Sequence, residues 1–344
     1  MLVLACAALA ACSTRDPYND ILWYYHPEPG SEMTPREQSG PYMLGMFHGS
    51  DGAPLTWTDV SAGVRWADIV IVGEQHDDAN AHLVQTTLVE ETMVMWPGST
   101  LCMEMLERNE QPLVDAYMAG TLDKDEFIKQ TESADWAGKG SWVKFYQPMI
   151  DAARTNGGKV VAANAPRAFV RQARTEGYEA LAALPPDQRA QFELPADAPP
   201  ETYRQRFKAF MTENGNAPTD EELDTMLRSQ RVWDATMADS IVKAYKALPR
   251  DAKVIHVVGQ FHSEYDGGLV SEIQARDGSA RILTISVQKG QAYSLRDEDR
   301  GKADIVMYGA PKAPSWTALQ SWKKPVQQAP VETSEQLPEW GKAY

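Results

Sequence analysis

Six apolar, mostly β-branched runs punctuate the chain: DIVIVG (68–73), TLCMEM (100–105), KVVAANA (159–165), KVIHVVG (253–259), RILTISV (281–287) and ADIVMY (303–308). None alternates strictly with polar residues, so each reads as a strand covered on both faces. Between them the period changes. In ANAHLVQTTLVEETMVMW (79–96) apolar residues fall at positions 83, 84, 88 and 94, which predicts an amphipathic helix capped by Asp77 or Asp78. LVDAYMAG (113–120) and WVKFYQPMIDAARTNGG (142–158) also predict helices, the second stopped by its glycine pair. Strands alternating with helices imply an α/β fold: a largely parallel sheet flanked by helices, with ligands bound beyond the C-terminal strand ends.

From about 167 to 250 the rhythm breaks. AFVRQARTEGYEALAAL, ETYRQRFKAFMTENG and DEELDTMLRSQRVWDATMADSIVKAYKAL give three helical patterns and no strand. This predicts an inserted all-helical subdomain over the C-terminal strand edge, within a main domain spanning 41–310. Residues 12–40 read as a tether and 311–344 as a Pro-rich tail bearing Trp316, Trp322 and Trp340. Residues 1–11 read as a lipoprotein signal peptide, because Leu9-Ala10-Ala11-Cys12 is a small-residue cleavage site ending in the cysteine to be lipidated. The apolar run is too short to cross a bilayer, which needs ~20 residues. Membrane attachment through a lipid on Cys12, at the outer-membrane or periplasmic side of a bacterial cell envelope, is the expectation. Processing and lipidation would leave Cys102 as the one free thiol, so no intrachain disulfide is expected.

A hydrophobic content of 43% with 24% charged residues fits a globular body, and the net charge of −15 opposes nucleic-acid binding. Against that charge, the chemistry concentrates at two strand ends of one form: IVIVGEQH (69–76) and IHVVGQFH (255–262). Glycine after a strand lets the chain turn sharply, so the following residues project from the sheet edge. Glu74 and His76 are thereby expected to face His262, with Glu104 from the run ending CMEMLER. A carboxylate flanked by apolar residues predicts burial, and a buried charge needs a partner. Two imidazoles and two carboxylates suit a divalent metal, giving Glu74, His76, Glu104 and His262 as candidate ligands, and equally suit general acid-base work. Arg108 and Gln111 follow Glu104 by four and seven residues, one face if the strand turns directly into helix. Asn164 and Arg167 end the third apolar run, and Gln230 and Asp234 lie four apart on a predicted helix near the cleft. There is no nucleophilic serine or cysteine motif, no phosphate-cradling loop, no Cys-x-x-Cys and no His-Glu-x-x-His.

The segments SADWAGKGSWVKFYQPM and ETYRQRFKAFM crowd aromatic residues and Met beside Lys and Arg. Core packing accounts for such stripes, and so does a flat apolar cofactor with anionic edges. Six ordered blocks resemble the ChaN-like haem-binding lipoproteins, in the wider group holding the TraB and Tiki proteins and the erythromycin esterases: GEQHDDANAHLVQ, MEMLERNEQPLVDAYMAG, W with FYQPMIDAAR, AANAPR, QRVWDATMA and VVGQFH. The resemblance implies an envelope lipoprotein that binds haem in a groove between an α/β core and a helical subdomain, serves iron or haem uptake and forms a homodimer. Carried over, its ligand-binding positions are Glu74, His76, His82, Glu104, Arg108, Gln111, Asn164, Arg167, Gln230, Asp234 and His262. A tyrosine is the implied type of iron ligand, with Tyr146 and Tyr203 as candidates by their basic, aromatic surroundings. The competing expectation is a metal-dependent hydrolase of peptide or ester bonds using the paired Gly-x-x-His site.

Overall fold

The computed structural model of the protein describes residues 40–198, 201–213, 215 and 217–309. The signal segment, Cys12, nearly all of the tether and the 311–344 tail lie outside the described residues. Seven strands form one sheet: β1 (Gly45–His48), β2 (Ile69–Glu74), β3 (Thr100–Glu107), β4 (Lys159–Asn164), β5 (Val254–Gly259), β6 (Ile282–Gln291) and β7 (Ile305–Gly309). Their order is β1-β7-β6-β2-β5-β3-β4, and every pairing is parallel except β1 with β7. All six expected strands are present. The additional β1, four residues pairing Gly45 with Tyr308 to His48 with Ile305, covers the β7 edge.

The helices are α1 (Trp57–Trp66), α2 (Ala79–Met95), α3 (Gln111–Met118), α4 (Lys124–Gln130), α5 (Gln147–Thr155), α6 (Arg167–Glu176), α7 (Tyr178–Ala182), α8 (Pro186–Arg189), α9 (Glu201–Glu213), α10 (Asp220–Lys246), α11 (Gln260–Ser263) and α12 (Gly268–Arg276). None among the described residues is long and apolar enough to cross a membrane. The strands read as unbroken apolar runs because both sheet faces are covered. Val70, Val72, Leu101, Met103, Ile255 and Val257 pack with residues of α1, α2 and α5, while Ile69, Ile71, Cys102, Val254 and Val258 meet α10 and α12. Burial in that second layer pushes the Cys102 thiol far up, leaving it inert.

Two helices differ from their expected form. Asp78 caps α2 by accepting from the Asn80 N–H at 3.0 Å, but Leu83 and Val94 face outward while His82 and Gln85 are buried. Gln85 earns its place by donating to the Val72 carbonyl at 3.1 Å. The predicted 142–158 helix starts as a π-helical turn, Trp142–Tyr146, before α5. Pro148 lacks the N–H that would bond the Lys144 carbonyl, which favours the wider turn there.

α10 belongs to two layers. A Thr219–Glu222 capping box starts it, and Leu223 and Leu227 pack with Tyr203 and Phe207 of α9. One end further on, Met237, Ala238, Ile241 and Val242 sit in the sheet core.

A cleft of paired carboxylates and imidazoles

Parallel pairing sets Glu74 beside Gly259, and hydrogen bonds bring Glu104 to Gly259 and Asn164 to Glu104, although Asn164 is the register partner of Glu107 beyond a bulge. The chain turns at Gly259, where a Cβ would come within 3.0 Å of the His76 ring; the missing side chain lets that imidazole rest on the backbone. The Gly259 N–H donates to Glu104 Oε2 at 2.5 Å. Asn164 donates to the Glu104 carbonyl at 3.0 Å and accepts from the Ala165 N–H at 2.9 Å, fixing the end of β4.

Two buried relays converge here. In the first, Tyr146 donates to Glu74 Oε1 at 2.8 Å, and His76 Nδ1 lies 2.9 Å from the same oxygen. Glu74 Oε2 is 2.9 Å from His82 Nδ1, and His82 stacks on Phe145 with centroids 4.1 Å apart. Burial opposes the charge on Glu74, yet the two imidazoles hold its carboxyl below the ordinary carboxylate range. Burial likewise opposes protonation of His76 and His82, and the hydrogen bond and charge of Glu74, joined by the Glu104 charge at His76 and by the His76 carbonyl and Gln85 at His82, together outweigh it, raising both. In the second relay Tyr203 donates to Asp234 Oδ2 at 2.6 Å, while Asp234 Oδ1 lies 2.5 Å from His262 Nδ1. Gln230 Nε2 is 3.1 Å from the His262 ring nitrogens, and His262 Nε2 is 3.6 Å from Glu104 Oε1. Against the effect of burial, the Asp234 charge raises His262.

Both relays open on one cavity of about 1070 Å³ between the sheet edge and the helical insertion. Glu74, His76, Glu104, Asn164, Arg167, Gln230 and His262 line it, so His76 and His262, from paired strands, do share one hollow. His82 and Asp234 stand behind that lining as partners of Glu74 and His262. Arg108 and Gln111 are elsewhere, because β3 runs on to Glu107 and a short 3-10 turn precedes α3. Arg108 ties that turn to α10, donating to Ser240 Oγ at 3.0 Å and the Thr236 carbonyl at 2.9 Å and pairing with Asp239. Gln111 completes the β4 edge, accepting from the Ala162 N–H at 2.8 Å and donating to the Val160 carbonyl at 3.0 Å. Gln111→Ala is expected to cost about 1–3 kcal/mol by stripping these strand groups of their partner, read as a lower urea midpoint.

Two expectations need correction. Neither Tyr146 nor Tyr203 reaches the cavity: each is buried with its hydroxyl donating to a carboxylate, Glu74 for Tyr146 and Asp234 for Tyr203. Nor do Glu74, His76, Glu104 and His262 form a metal shell. Among the described residues no group of three or more His, Cys, Asp or Glu could hold a metal ion. His76 Nδ1 is held by Glu74, His262 Nδ1 by Asp234 from outside the quartet, and Glu104 by the Gly259 N–H, so the four serve separate partners. The two aromatic segments supply part of the walls, Trp136, edge-on to His76 at 4.9 Å, and Phe207, Phe210 and Met211 from α9; missed from sequence were Arg171 and Arg174 from α6 and Met226 and Trp233 from α10. Arg167, Arg171 and Arg174 recur at helical spacing, a signal that could have found the last two.

The chain covers 96% of ChaN of Campylobacter jejuni, a structure solved for cofacial haem binding, over 77% of its own length, with a TM-score of 0.58 and 18% identity, a likeness of fold. An erythromycin esterase, EreC, in its open conformation matches at TM-score 0.40 and 11% identity, over 71% of this chain and 77% of that one. The RRSP effector domain of a Vibrio vulnificus toxin matches at 0.37 and 16%, over 72% and 37%. Among curated protein sequences nothing matches significantly. A family model described as haem-binding uptake, Tiki superfamily, ChaN, matches residues 60–273, a span that takes in both strand-end histidines, both relays and the cavity walls, and the chain belongs to that family.

Proposed function

We propose that this protein binds haem in the cavity between its α/β core and its helical insertion, and serves haem or iron uptake. The observation that carries the reading is the make-up of that cavity in a chain of this family. It has about 1070 Å³ of space, at the upper end for ligand pockets, with aromatic and thioether walls and arginines along one side. A flat apolar macrocycle with carboxylate edges fits such walls. His76 is the imidazole open to it, with a side chain 43% exposed and its Nδ1 already held by Glu74, so Nε2 is the free donor. Bound haem would supply the iron; the chain's part is to enclose the ring and neutralise its carboxylates. In this reading Cys12 carries the lipid anchor, residues 12–40 tether the domain to the bacterial envelope on its periplasmic side, and the protein works as a homodimer.

Purified protein titrated with haemin is expected to give a saturable, shifted Soret band. A spectrum indistinguishable from free haemin at every ratio would overturn the proposal. One observation favours a second reading, hydrolysis of an ester or peptide bond: each imidazole is oriented by a carboxylate towards the same space beside Glu104, as acid-base chemistry requires. That reading predicts haem-independent turnover lost in His262→Ala.

A further inference from the structure

We infer that the arginine face of α6 is an anion-recognition rim, and that Arg171 and Arg174 select ligands carrying free carboxylates at one end of an apolar body. The inference rests on the haem reading and names what that reading leaves open: which way the ligand lies and which chemical group decides its affinity.

Arg167, Arg171 and Arg174 follow one another at four and three residues, so they form a single stripe along α6, and all three line the cavity. Arg167 has a carboxylate neighbour, with Nε 3.8 Å from Glu107. Arg171 and Arg174 are exposed, and among the described residues neither enters an ion pair or side-chain hydrogen bond. In a chain of net charge −15, these are the cavity guanidiniums outside any ion pair, Arg171 acting only at longer range on Glu107. The floor is the reverse, with Glu74 and Glu104 at the strand ends. A carboxylate placed there would face like charge, whereas guanidinium forks on α6 can hold it with two parallel hydrogen bonds. α10 packs on α6 through Trp233 and Ser229, and Phe207, Phe210 and Met211 of α9, with Met226 of α10, give the apolar body its surface. The lining is therefore polarised: guanidiniums on α6, apolar side chains on α9.

The test uses iron-free porphyrins, which separate the rim from any iron ligand. Protoporphyrin IX and its dimethyl ester are titrated into the full chain and into Arg171→Gln/Arg174→Gln, following quenching of tryptophan fluorescence, since Trp136 and Trp233 line the cavity. Wild type is expected to bind the free acid about ten-fold or more tightly than the ester, and the double variant to lose that preference while keeping its affinity for the ester. Equal affinity of wild type for acid and ester, or a preference that survives in the variant, overturns the rim and leaves the haem reading standing. Failure of wild type to bind either porphyrin also overturns the rim, whereas the haem reading stands or falls on the haemin titration.

Discussion

Asp234→Ala is expected to destabilise the fold by roughly 3–5 kcal/mol, the cost of breaking a buried charge pair from one side, and to lower Tm by about 10 °C at ~2–4 °C per kcal/mol. Asp234 is fully buried and serves two partners at once, His262 Nδ1 at 2.5 Å and the Tyr203 hydroxyl at 2.6 Å. Nothing nearby can replace it. The backbone of Gly268 already presses so closely that a Cβ there would sit 2.0 Å from the Asp234 carboxylate, so the vacated space is walled by main chain. Asp234→Asn keeps the volume and one acceptor and should cost less, about 1–3 kcal/mol. The pH dependence gives a sharper check. His262 is raised in the folded state above its ordinary value of 6.5. Its contribution is therefore complete below that value and lost as pH rises through the folded one. Urea midpoints should separate wild type from Asp234→Ala more widely near pH 5.5 than near pH 8.5. An equal separation at both would mean that the imidazole carries no extra proton in the fold.

Glu74→Gln is the second large effect, expected at about 1.5–3 kcal/mol because hydrogen bonds to a charged group are lost from a buried site. Here two windows overlap. Glu74 is lowered from 4.5, so its contribution is present above that value and lost as pH falls through the folded one. His82 is raised from 6.5, so its contribution is present below that value and lost as pH rises. Stability from this cluster should peak between the two, and the peak should flatten in Glu74→Gln. With the counter-charge gone, only the hydrogen bonds to the His76 carbonyl and Gln85 oppose burial at His82, and NMR titration should find its pKa moved below that of wild type. A His82 titration unchanged by the substitution would show that Glu74 is not its effective partner.

Strand positions were legible because burial on both faces leaves an unmistakable run of apolar residues, as in Ile69–Val72 and Val254–Val258. β1 was not, being four residues of which the outer two are only partly buried. The inner face of α2 was misread for a related reason: periodicity assumes that polar residues point outward, whereas His82 and Gln85 are buried to serve Glu74 and the Val72 carbonyl. At the cleft, the residues at strand ends came together as spacing and topology implied. Arg108 and Gln111 did not, since counting along a helix from Glu104 fails when the strand persists through Glu107. Aromatic and basic neighbours also misdirected the choice of Tyr146 and Tyr203. Sequence places a tyrosine near a site but does not reveal which way its hydroxyl turns, and both turn inward to carboxylates.

The span of α10 across two layers bears on how a bulky guest could enter. A wall that swings on a hinge must be rigid on its own and loosely joined, but this helix has Met237 and Ile241 bolted into the sheet core and Gln230 and Trp233 facing the cavity only one or two turns away. Tilting it would tear the core, so admission has to come from yielding on the flanks, where α6 and α9 meet α10 through smaller apolar clusters. The floor and this back wall behave as a fixed mould, and adaptation to guests of different girth falls to the remaining two sides.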